Sequence, residues 1–323
     1  MSTREEPLVV ATLPAKRRSV LRPYVAIARP DHWVKNVFVL PGIIVALSFD
    51  KRIPSIPWIA GLLAVCLVAS SNYVLNELLD APSDREHPIK RNRPVPSGQV
   101  SAPIAYAEWI ALMLAGIALG LTVSHQFAFT LLALWVMGCV YNIPPLRTKD
   151  VPYLDVLSEA INNPLRMLAG WYMTGTTATV PVSLLVSYWM VGCYFMAVKR
   201  FAELREINDP FRSAAYRRSF AFYTQDRLLI SVMFYGCHAM LFFGAFLMRY
   251  RLELVLSFPL VAVVMAAYLA LAFKKQSAAQ NPEKLYREPL LMASVVACAA
   301  TMTALFFLNV PLLYRIFTPT AVH

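Results

Sequence analysis

The chain has 323 residues, of which 58% are hydrophobic and only 15% are charged. Because soluble domains carry about 25% charged residues, this composition excludes a soluble globular protein and indicates several membrane-spanning segments. The formal net charge of +11 is compatible with nucleic-acid binding. However, the lysines and arginines lie in short loops between apolar segments, so we expect a lipid bilayer, and no nucleic acid, as the partner.

Nine apolar segments approach or exceed the length of a spanning helix, which needs about 20 residues to cross about 30 Å of hydrocarbon. The fourth is short, and the fifth is polar in its first half. The sequence therefore predicts an all-α membrane protein with nine transmembrane helices. In chain order the predicted spans are residues 33–49, 58–79, 103–124, 127–142, 154–174, 180–198, 228–248, 253–273 and 290–312.

Positive charge is distributed unequally between the loops on the two sides of these spans. One alternating set of loops, together with the N-terminal region, carries 24 of the 30 lysines and arginines, and the opposite set carries five. The positive-inside rule then places the N-terminus in the cytoplasm and the C-terminus outside. We expect residues 1–32 to be a cytoplasmic segment without a signal peptide. Residues 33–323 would form a single polytopic transmembrane domain in the cell (inner) membrane.

Polar residues recur at every fourth position where the second span ends. These residues, which project from one side of a helix, are Asn72, Asn76, Asp80 and Asp84. Carboxylates at membrane depth cost about 2.5 to 3.5 kcal/mol each on insertion scales, so they need a partner that offsets this cost. The pattern favours a metal ion, or an anionic ligand that carries one.

A second polar face lies in the fifth span, with residues at spacings of four, three and four. It consists of Asp155, Glu159, Asn162 and Arg166. We interpret the two faces as the two halves of one site for a diphosphate and a metal ion. Arg166 lies within a span and needs a partner there, which is either a substrate or, in a structural pair, Glu159 or Asp155.

The two acidic faces would repel each other in the absence of a cation. Two carboxylates about 6 Å apart repel by about 3 kcal/mol at an effective dielectric constant of 20. Mg²⁺ prefers oxygen ligands and is commonly held by one or two carboxylates together with substrate phosphates. Histidine and cysteine are absent from both faces, which disfavours zinc. The predicted Mg²⁺ ligands are Asn76, Asp80, Asp84, Asp155 and Glu159.

Basic residues flank the same helix ends, and guanidinium and ammonium groups are common protein ligands of phosphates. The sequence contains no GxSxG, P-loop or HExxH motif. The pattern therefore favours a reaction in which a diphosphate leaves and the acceptor is already nucleophilic, with Asp80, Asp84 and Asp155 as catalytic carboxylates. The predicted substrate-binding residues are Lys35, Asn72, Asn76, Lys90, Arg93, Arg147, Lys149, Asn162, Arg166, Lys199 and Arg200.

Two motifs connect these residues with a known family. The first is NxxxDxxxD at Asn76, Asp80 and Asp84, and the second is DxxxE at Asp155 and Glu159. Together with nine predicted spans, they resemble the UbiA-type intramembrane prenyltransferase superfamily, and the resemblance covers nearly the whole chain.

Three further segments resemble one branch of that superfamily, the decaprenyl-phosphate phosphoribosyltransferases. They are RPDHWVKN at 29–36, DREHPIKRNRPVPSG at 84–98 and KRFAELR at 199–205. The chain also departs from the family pattern, which commonly has an aspartate where Glu77 stands. The segment around Asn162, Asn163 and Pro164 differs from the usual second motif of the branch.

The resemblance implies a bundle of nine helices around a central cavity and a Mg²⁺-dependent transferase. The implied substrates are phosphoribosyl diphosphate and a polyprenyl phosphate of the decaprenyl type. Transfer of the 5-phosphoribosyl group would release diphosphate and supply lipid-linked pentose (arabinan) donors for the cell wall. The resemblance implies no oligomeric state.

Two other functions share parts of this pattern. A prenyltransferase that moves a prenyl group from a prenyl diphosphate to an aromatic or tetrapyrrole acceptor would use the same metal site but fewer phosphate-binding cations. A transporter could use the acids within the membrane as a relay. The acids lie near helix ends on one side, rather than at the membrane midplane, which argues against the transporter.

Overall fold

The computed structural model of the protein describes residues 21–49, 58–86, 90–280 and 282–317, and all regular structure in these ranges is helical. Short 3₁₀ helices connect several α-helices, among them Pro30–Val39, Thr148–Asp150 and Arg218–Ala221. The α-helices are α1 (Leu21–Ile27), α2 (Leu40–Phe49), α3 (Trp58–Asp84), α4 (Ala102–Leu121), α5 (His125–Asn142), α6 (Leu154–Ala160), α7 (Asn162–Met173), α8 (Val182–Ile207), α9 (Pro210–Tyr216), α10 (Gln225–Tyr250), α11 (Phe258–Ala272), α12 (Pro289–Phe307) and α13 (Pro311–Phe317).

Seven helical segments of the described chain are long and apolar enough to cross a membrane. They correspond to seven of the nine predicted spans, so the all-helical membrane fold is confirmed and the number nine is not. The helix α5, at predicted span 127–142, has 18 residues and polar residues at both ends. The seven segments are Leu21–Phe49, Trp58–Asp84, Ala102–Leu121, Val182–Ile207, Gln225–Tyr250, Leu252–Ala272 and Pro289–Phe307.

The predicted span 154–174 is two short helices, α6 and α7, that meet at Ile161. Proline explains the break, because Pro164 has no backbone N–H to donate to the carbonyl of Ala160, as a continuous helix would require. The break separates the acidic residues of α6 from Arg166 on α7.

Most of the predicted cytoplasmic segment 1–32 lies outside the described residues, which begin at Leu21. From there, α1 packs beside the end of α3, where Ile27 is buried with Val74, Val95 and Val100. The chain thus folds back over the end of α3 that carries Asp80. We call this the polar end of the bundle.

Two helices cross with their backbones in contact at glycines. A methyl group added at Gly42 of α2 would lie 1.8 Å from a backbone carbonyl oxygen of α7. One added at Gly170 of α7 would lie 2.0 Å from a carbonyl oxygen of the segment that leads into α2. Small residues allow such close packing between membrane helices. Because α7 carries Arg166 and Asn36 precedes α2, this crossing sets the distance between these two side chains.

We expect Gly170→Ala to destabilise the protein, because the added methyl group overlaps backbone atoms that cannot rotate away. Overpacking costs about 1 to 3 kcal/mol or more, so the unfolding temperature in detergent should fall by several degrees. Gly244→Ala in α10 is the matched control, because a methyl group there meets no atom within 4 Å and alanine is the better helix former. Equal unfolding temperatures for both variants would contradict the close crossing.

Candidate active site

The first acidic face lies on α3, and its carboxylates meet basic side chains from two loops. Asp80 pairs with Lys149, and its Oδ1 lies 3.2 Å from Arg147 Nη2. Both cations belong to the loop between α5 and α6, in which φ is 23° at Arg147 and 65° at Tyr153. Positive φ angles are uncommon for residues other than glycine and occur often at functional sites.

The Lys149 ammonium group lies among three side-chain oxygens. It donates to Asn142 Oδ1 at 2.8 Å and to Asn76 Oδ1 at 3.3 Å, besides its contact with Asp80. Burial lowers the pKa of Lys149, and the Asp80 carboxylate acts in the opposite direction. These oxygens thus form a cradle that stabilises a cation away from solvent.

Asp84 is the other carboxylate of this face, and it is nearly buried. Its Oδ2 accepts a hydrogen bond from Arg93 Nη1 at 2.7 Å, and its Oδ1 lies 3.8 Å from Lys90 Nζ. Burial lowers the pKa of Lys90, while Asp84 raises it. Each α3 carboxylate therefore has two basic neighbours, and the cations are arranged around one face of the helix end.

The second acidic face is organised around a buried arginine. Arg200 of α8 is only 1% exposed, and its guanidinium contacts three carboxylates. The distances are 3.3 Å to Asp155 Oδ2, 2.8 Å to Glu159 Oε2 and 3.1 Å to Glu203 Oε2. Tyr141 also donates to Glu159 Oε2 at 2.9 Å. Arg200 thus has its guanidinium engaged with three protein carboxylates and is almost fully buried, and its predicted role in substrate binding stays a prediction.

Asp155 is fully buried, and its remaining hydrogen bonds come from a segment distant in sequence. Ser219 donates to its Oδ2 at 3.1 Å, and Tyr223 donates to its Oδ1 at 2.7 Å. With Arg200, these donors satisfy both oxygens. In this arrangement Asp155 holds α6, α8 and the 208–224 segment together, and its catalytic and metal-binding roles stay predictions.

The 208–224 segment, between α8 and α10, contacts both acidic faces. One part of it holds Asp155, as described, and another part reaches the first face, where Lys90 Nζ lies 5.1 Å from the ring centroid of Tyr216. Arg217 lies between these contacts, within electrostatic range of Lys90 and Glu159. The segment therefore closes over the polar end and adds a further guanidinium to it.

Arg217 retains hydrogen-bonding capacity at this position. Its Nε is buried and has no hydrogen-bond partner among the described residues. A buried donor without a partner is costly, so this atom is poised to bind an anion. With Lys90, Arg93, Arg147 and Lys149 it completes a group of five cations at the polar end.

The predicted metal ligands do not gather at one point. In the ranges that the structure describes, no three His, Cys, Asp or Glu side chains lie together as a metal site. The carboxylates of α6 are turned toward Arg200, and those of α3 toward separate cations. The chemistry of the α3 face still suits a hard cation, because Asn76 and Asp80 oxygens already hold the Lys149 ammonium group. Mg²⁺ binding at Asn76, Asp80 and Asp84 stays a prediction.

Three predicted substrate-binding residues make contacts away from the α3 carboxylates. Asn72 is turned toward α5, where its Nδ2 donates to the carbonyl of Leu134 at 2.9 Å. Lys35 Nζ lies 3.4 Å from His32 Nδ1, and Lys199 Nζ lies 4.0 Å from a carboxylate oxygen of α8. Asn72 packs between helices, which favours a structural role for it.

Arg166 and Asn162 of α7 also make contacts away from the α3 carboxylates. Arg166 Nε donates to Asn36 Oδ1 at 3.0 Å, and Asn162 Nδ2 donates to the carbonyl of Glu159 at 3.0 Å. Of the two partners considered for Arg166, a substrate or a structural pair with Glu159 or Asp155, the ion pair is not formed among the described residues, and substrate binding stays a prediction. Arg200 engages both carboxylates in its place.

Glu77, which replaces the aspartate common in the family, points away from the α3 site. Its Oε2 lies 3.3 Å from Arg29 Nη2, and its Oε1 accepts a hydrogen bond from the Val95 backbone N–H at 3.2 Å. It is 2% exposed. The carboxylate therefore fastens the N-terminal segment and the 90–100 loop to α3 and takes no part in a ligand cluster.

Sequence reasoning missed several residues of the polar end, namely Tyr141, Asn142, Arg217, Ser219 and Tyr223. Their types are common in loops and helices, and no spacing marks them. The one usable signal was the basic loop 199–227, whose length and charge suggest a segment lying over the polar end. Within that loop, nothing in the sequence distinguishes Arg217 from its neighbour Arg218.

The fold is similar to solved structures of a UbiA homolog from Archaeoglobus fulgidus. The structure with DMAPP and Mg²⁺ has a TM-score of 0.67, covers 88% of this chain and 100% of the other, and shares 22% identity. The structure of that homolog with GPP and Mg²⁺ has a TM-score of 0.66 at the same coverage and identity. At this identity the likeness shows the fold alone.

Curated relatives are more similar in sequence, over part of the chain. The nodulation protein NoeC of Azorhizobium caulinodans is 31% identical over 200 residues, which are 61% of this chain and 62% of the relative. The decaprenyl-phosphate phosphoribosyltransferase of Mycobacterium tuberculosis is 31% identical over 62% of this chain and 65% of the relative. That of Mycolicibacterium smegmatis is 32% identical over 62% of each. The matches thus span just under two thirds of the relatives' own length.

A family model supplies the broader assignment. The model described as the UbiA prenyltransferase family matches residues 36–295, which include both acidic faces and the 208–224 segment. The matched region also contains most of the long apolar helices. The chain is therefore a multi-pass membrane protein that belongs to the UbiA prenyltransferase family.

Proposed function

We propose that the protein transfers the 5-phosphoribosyl group from phosphoribosyl diphosphate to a polyprenyl phosphate of the decaprenyl type and releases diphosphate. The product is a lipid-linked ribose phosphate, from which lipid-linked pentose (arabinan) donors of the cell wall derive. Relatives named decaprenyl-phosphate phosphoribosyltransferase, at 31 to 32% identity, support this proposal. The observation that carries it is the group of five cations at the polar end.

The basic side chains of this group come from three separate loops, so they can contact more than one anionic group. Phosphoribosyl diphosphate carries a 5-phosphate in addition to its diphosphate, so it presents two separate anionic groups. The α3 carboxylates engage Lys90, Arg93, Arg147 and Lys149, whereas Arg217 forms no ion pair with them among the described residues. Cations in these two situations fit two anionic groups on one substrate.

The reaction needs no general base from the protein. An oxygen of the acceptor phosphate, anionic at neutral pH, forms a bond to C1 of the ribose. The bond between C1 and the diphosphate oxygen breaks, and its electron pair leaves with the diphosphate. The basic side chains around α3 stabilise the negative charge that develops on the leaving group. No proton has to be removed, which agrees with the absence of a recognised catalytic base motif.

Mg²⁺ fits this scheme at the α3 face, with Asn76, Asp80 and Asp84 as the residues that would hold it. When bound, it would neutralise charge on the departing diphosphate. The lysine now held by Asn76 and Asp80 shows that these oxygens accept a cation. We also propose that the polar end faces the cytoplasm at the inner membrane, because the loops of that end carry most of the positive charge.

A second candidate is prenyl transfer from a prenyl diphosphate to an aromatic acceptor. The A. fulgidus homolog structures described as bound to DMAPP or GPP favour it. It would use the same α3 face and would leave Arg217 without a phosphate to bind.

We expect membranes that contain the protein to convert labelled phosphoribosyl diphosphate and polyprenyl phosphate, with Mg²⁺, into a labelled lipid. Asp80→Asn should reduce the rate by about 10²-fold or more, because it removes a carboxylate that would hold the Mg²⁺ neutralising the departing diphosphate, and EDTA should abolish labelling. Asp226→Asn, at an exposed position on α10, is the matched control. Labelled lipid that survives both Asp80→Asn and EDTA would reject the proposed site.

The two donors can be distinguished by binding to the purified protein. With Mg²⁺, phosphoribosyl diphosphate should raise the unfolding temperature, since a compound at 100 times its Kd stabilises the folded state by about 2.7 kcal/mol. Geranyl diphosphate at the same concentration should have a smaller effect. The reverse order would favour the prenyltransferase candidate.

Arg217 and Arg218 offer a test between adjacent residues. Arg217→Gln should raise the KM for phosphoribosyl diphosphate about tenfold, the effect of losing one charge-assisted hydrogen bond. Arg218 is 82% exposed, so Arg218→Gln should leave KM within about twofold. Equal effects of both variants would mean that only the general positive charge of the segment matters.

A further inference from the structure

Arg166 is a cation inside the bundle and does not belong to the group of five cations at the polar end. Its Nε donates to Asn36, and its Nη1 donates to the backbone oxygen of Asn162 at 3.4 Å. In the described part of the chain no aspartate or glutamate forms an ion pair with it, since the nearest candidates are held by Arg200. A guanidinium keeps its charge in proteins, so at membrane depth it calls for an anion.

The depth of Arg166 follows from its neighbour Tyr73. Tyr73 lies within electrostatic range of Arg166 and also of Glu159. On α3 it precedes Asp80 by seven residues, which is two helical turns and about 10 Å along the axis. Arg166 therefore lies deeper in the bundle than Asp80, on the interior side of the proposed diphosphate site.

Two phenols provide further hydrogen-bond donors around this guanidinium. Tyr73 and Tyr188 both lie within electrostatic range of Arg166. Neither hydroxyl donates to, or accepts from, another residue in the described ranges. Arg166 Nη2 donates to no residue in the described ranges, whereas Nε and Nη1 do, so this nitrogen can donate to a ligand. The three side chains together offer the donors that a phosphate needs.

The surroundings of Asn36 favour an anion that carries an apolar chain. Asn36 lines a cavity of about 360 Å³ whose other walls are apolar, including Leu40, Ile59 and Leu62. Ile59 is 87% exposed, so this cavity opens toward the outer surface of the bundle, where lipid chains lie. The amide that orients Arg166 thus stands between a charged group and a lipid-facing surface.

We infer that Arg166, together with Tyr73 and Tyr188, binds the phosphate of the acceptor lipid. The substrate class for this subsite is a polyprenyl monophosphate, and the donor occupies the α3 face above it. This inference rests on the proposed function for the identity of the acceptor. It assigns the two substrates to two separate groups of cations, one at the polar end and one about two helical turns deeper.

Binding of farnesyl phosphate, a short polyprenyl monophosphate, tests the subsite without catalysis. The purified protein in detergent is titrated with farnesyl phosphate, farnesol and inorganic phosphate. Arg166→Gln should weaken farnesyl phosphate binding about tenfold or more, the effect expected from a lost charge-assisted interaction, and Arg166→Lys should restore part of it. Arg249→Gln, at an exposed arginine of α10, should bind like the wild type. Phosphoribosyl diphosphate should bind Arg166→Gln within about twofold of the wild type.

The other outcomes decide against the subsite. Equal binding of farnesol and farnesyl phosphate would show that only the chain is recognised, and equal binding of inorganic phosphate would show a site for free phosphate. A larger loss for phosphoribosyl diphosphate than for farnesyl phosphate would place Arg166 in the donor site. If Arg166→Gln unfolds, Tyr188→Phe, which removes one hydroxyl, should weaken farnesyl phosphate binding several-fold, and wild-type binding would overturn the inference.

The subsite and the proposed function fail in different ways. If the wild type binds farnesyl phosphate through Arg166 but forms no labelled lipid from phosphoribosyl diphosphate, the donor assignment is wrong and the subsite stands. If the wild type forms labelled lipid and Arg166→Gln leaves the KM for polyprenyl phosphate unchanged, the donor assignment stands and the subsite is wrong.

Discussion

The buried guanidinium of Arg200 is the interaction on which the polar end depends. Charges removed from water are tolerated only when they are paired and hydrogen-bonded, and this one guanidinium holds three carboxylates at once. It thereby joins α6 to α8 and directs Asp155 into the interior. Asp155 in turn holds the 208–224 segment, which carries Arg217 at the polar end. The two acidic faces therefore have different partners, since the α6 carboxylates share one buried arginine and the α3 carboxylates pair with lysines and arginines of two loops.

Much of the architecture could be predicted from the sequence. Long apolar segments predict membrane helices directly. The four-residue spacing of Asn76, Asp80 and Asp84 predicts that they lie on one face of a helix, as the structure shows. Arg93 and Lys149 were predicted to bind substrate, which stays a prediction, and the structure places both beside α3 carboxylates. The helices and their shared polar face could be predicted because they depend on local periodicity and composition.

The remaining details depend on contacts between residues distant in sequence. Asp155 and Glu159 have the spacing of metal ligands, but spacing does not reveal that Arg200, on another helix, reaches them first. The break between α6 and α7 could be predicted only from Pro164, because a hydropathy average over the whole segment does not reveal a single proline. Glu77 resembles a conservative replacement of a ligand, and only its contact with Arg29 shows that it fastens the N-terminal segment.

The close crossing of α2 and α7 has a mechanical consequence. The backbones of α2 and α7 are in contact at Gly42 and Gly170, so neither helix has room to slide or rotate against the other. The two helices therefore move together as one rigid unit. A movement that opens the bundle to a long lipid must then come from the other helices, which move relative to this rigid pair.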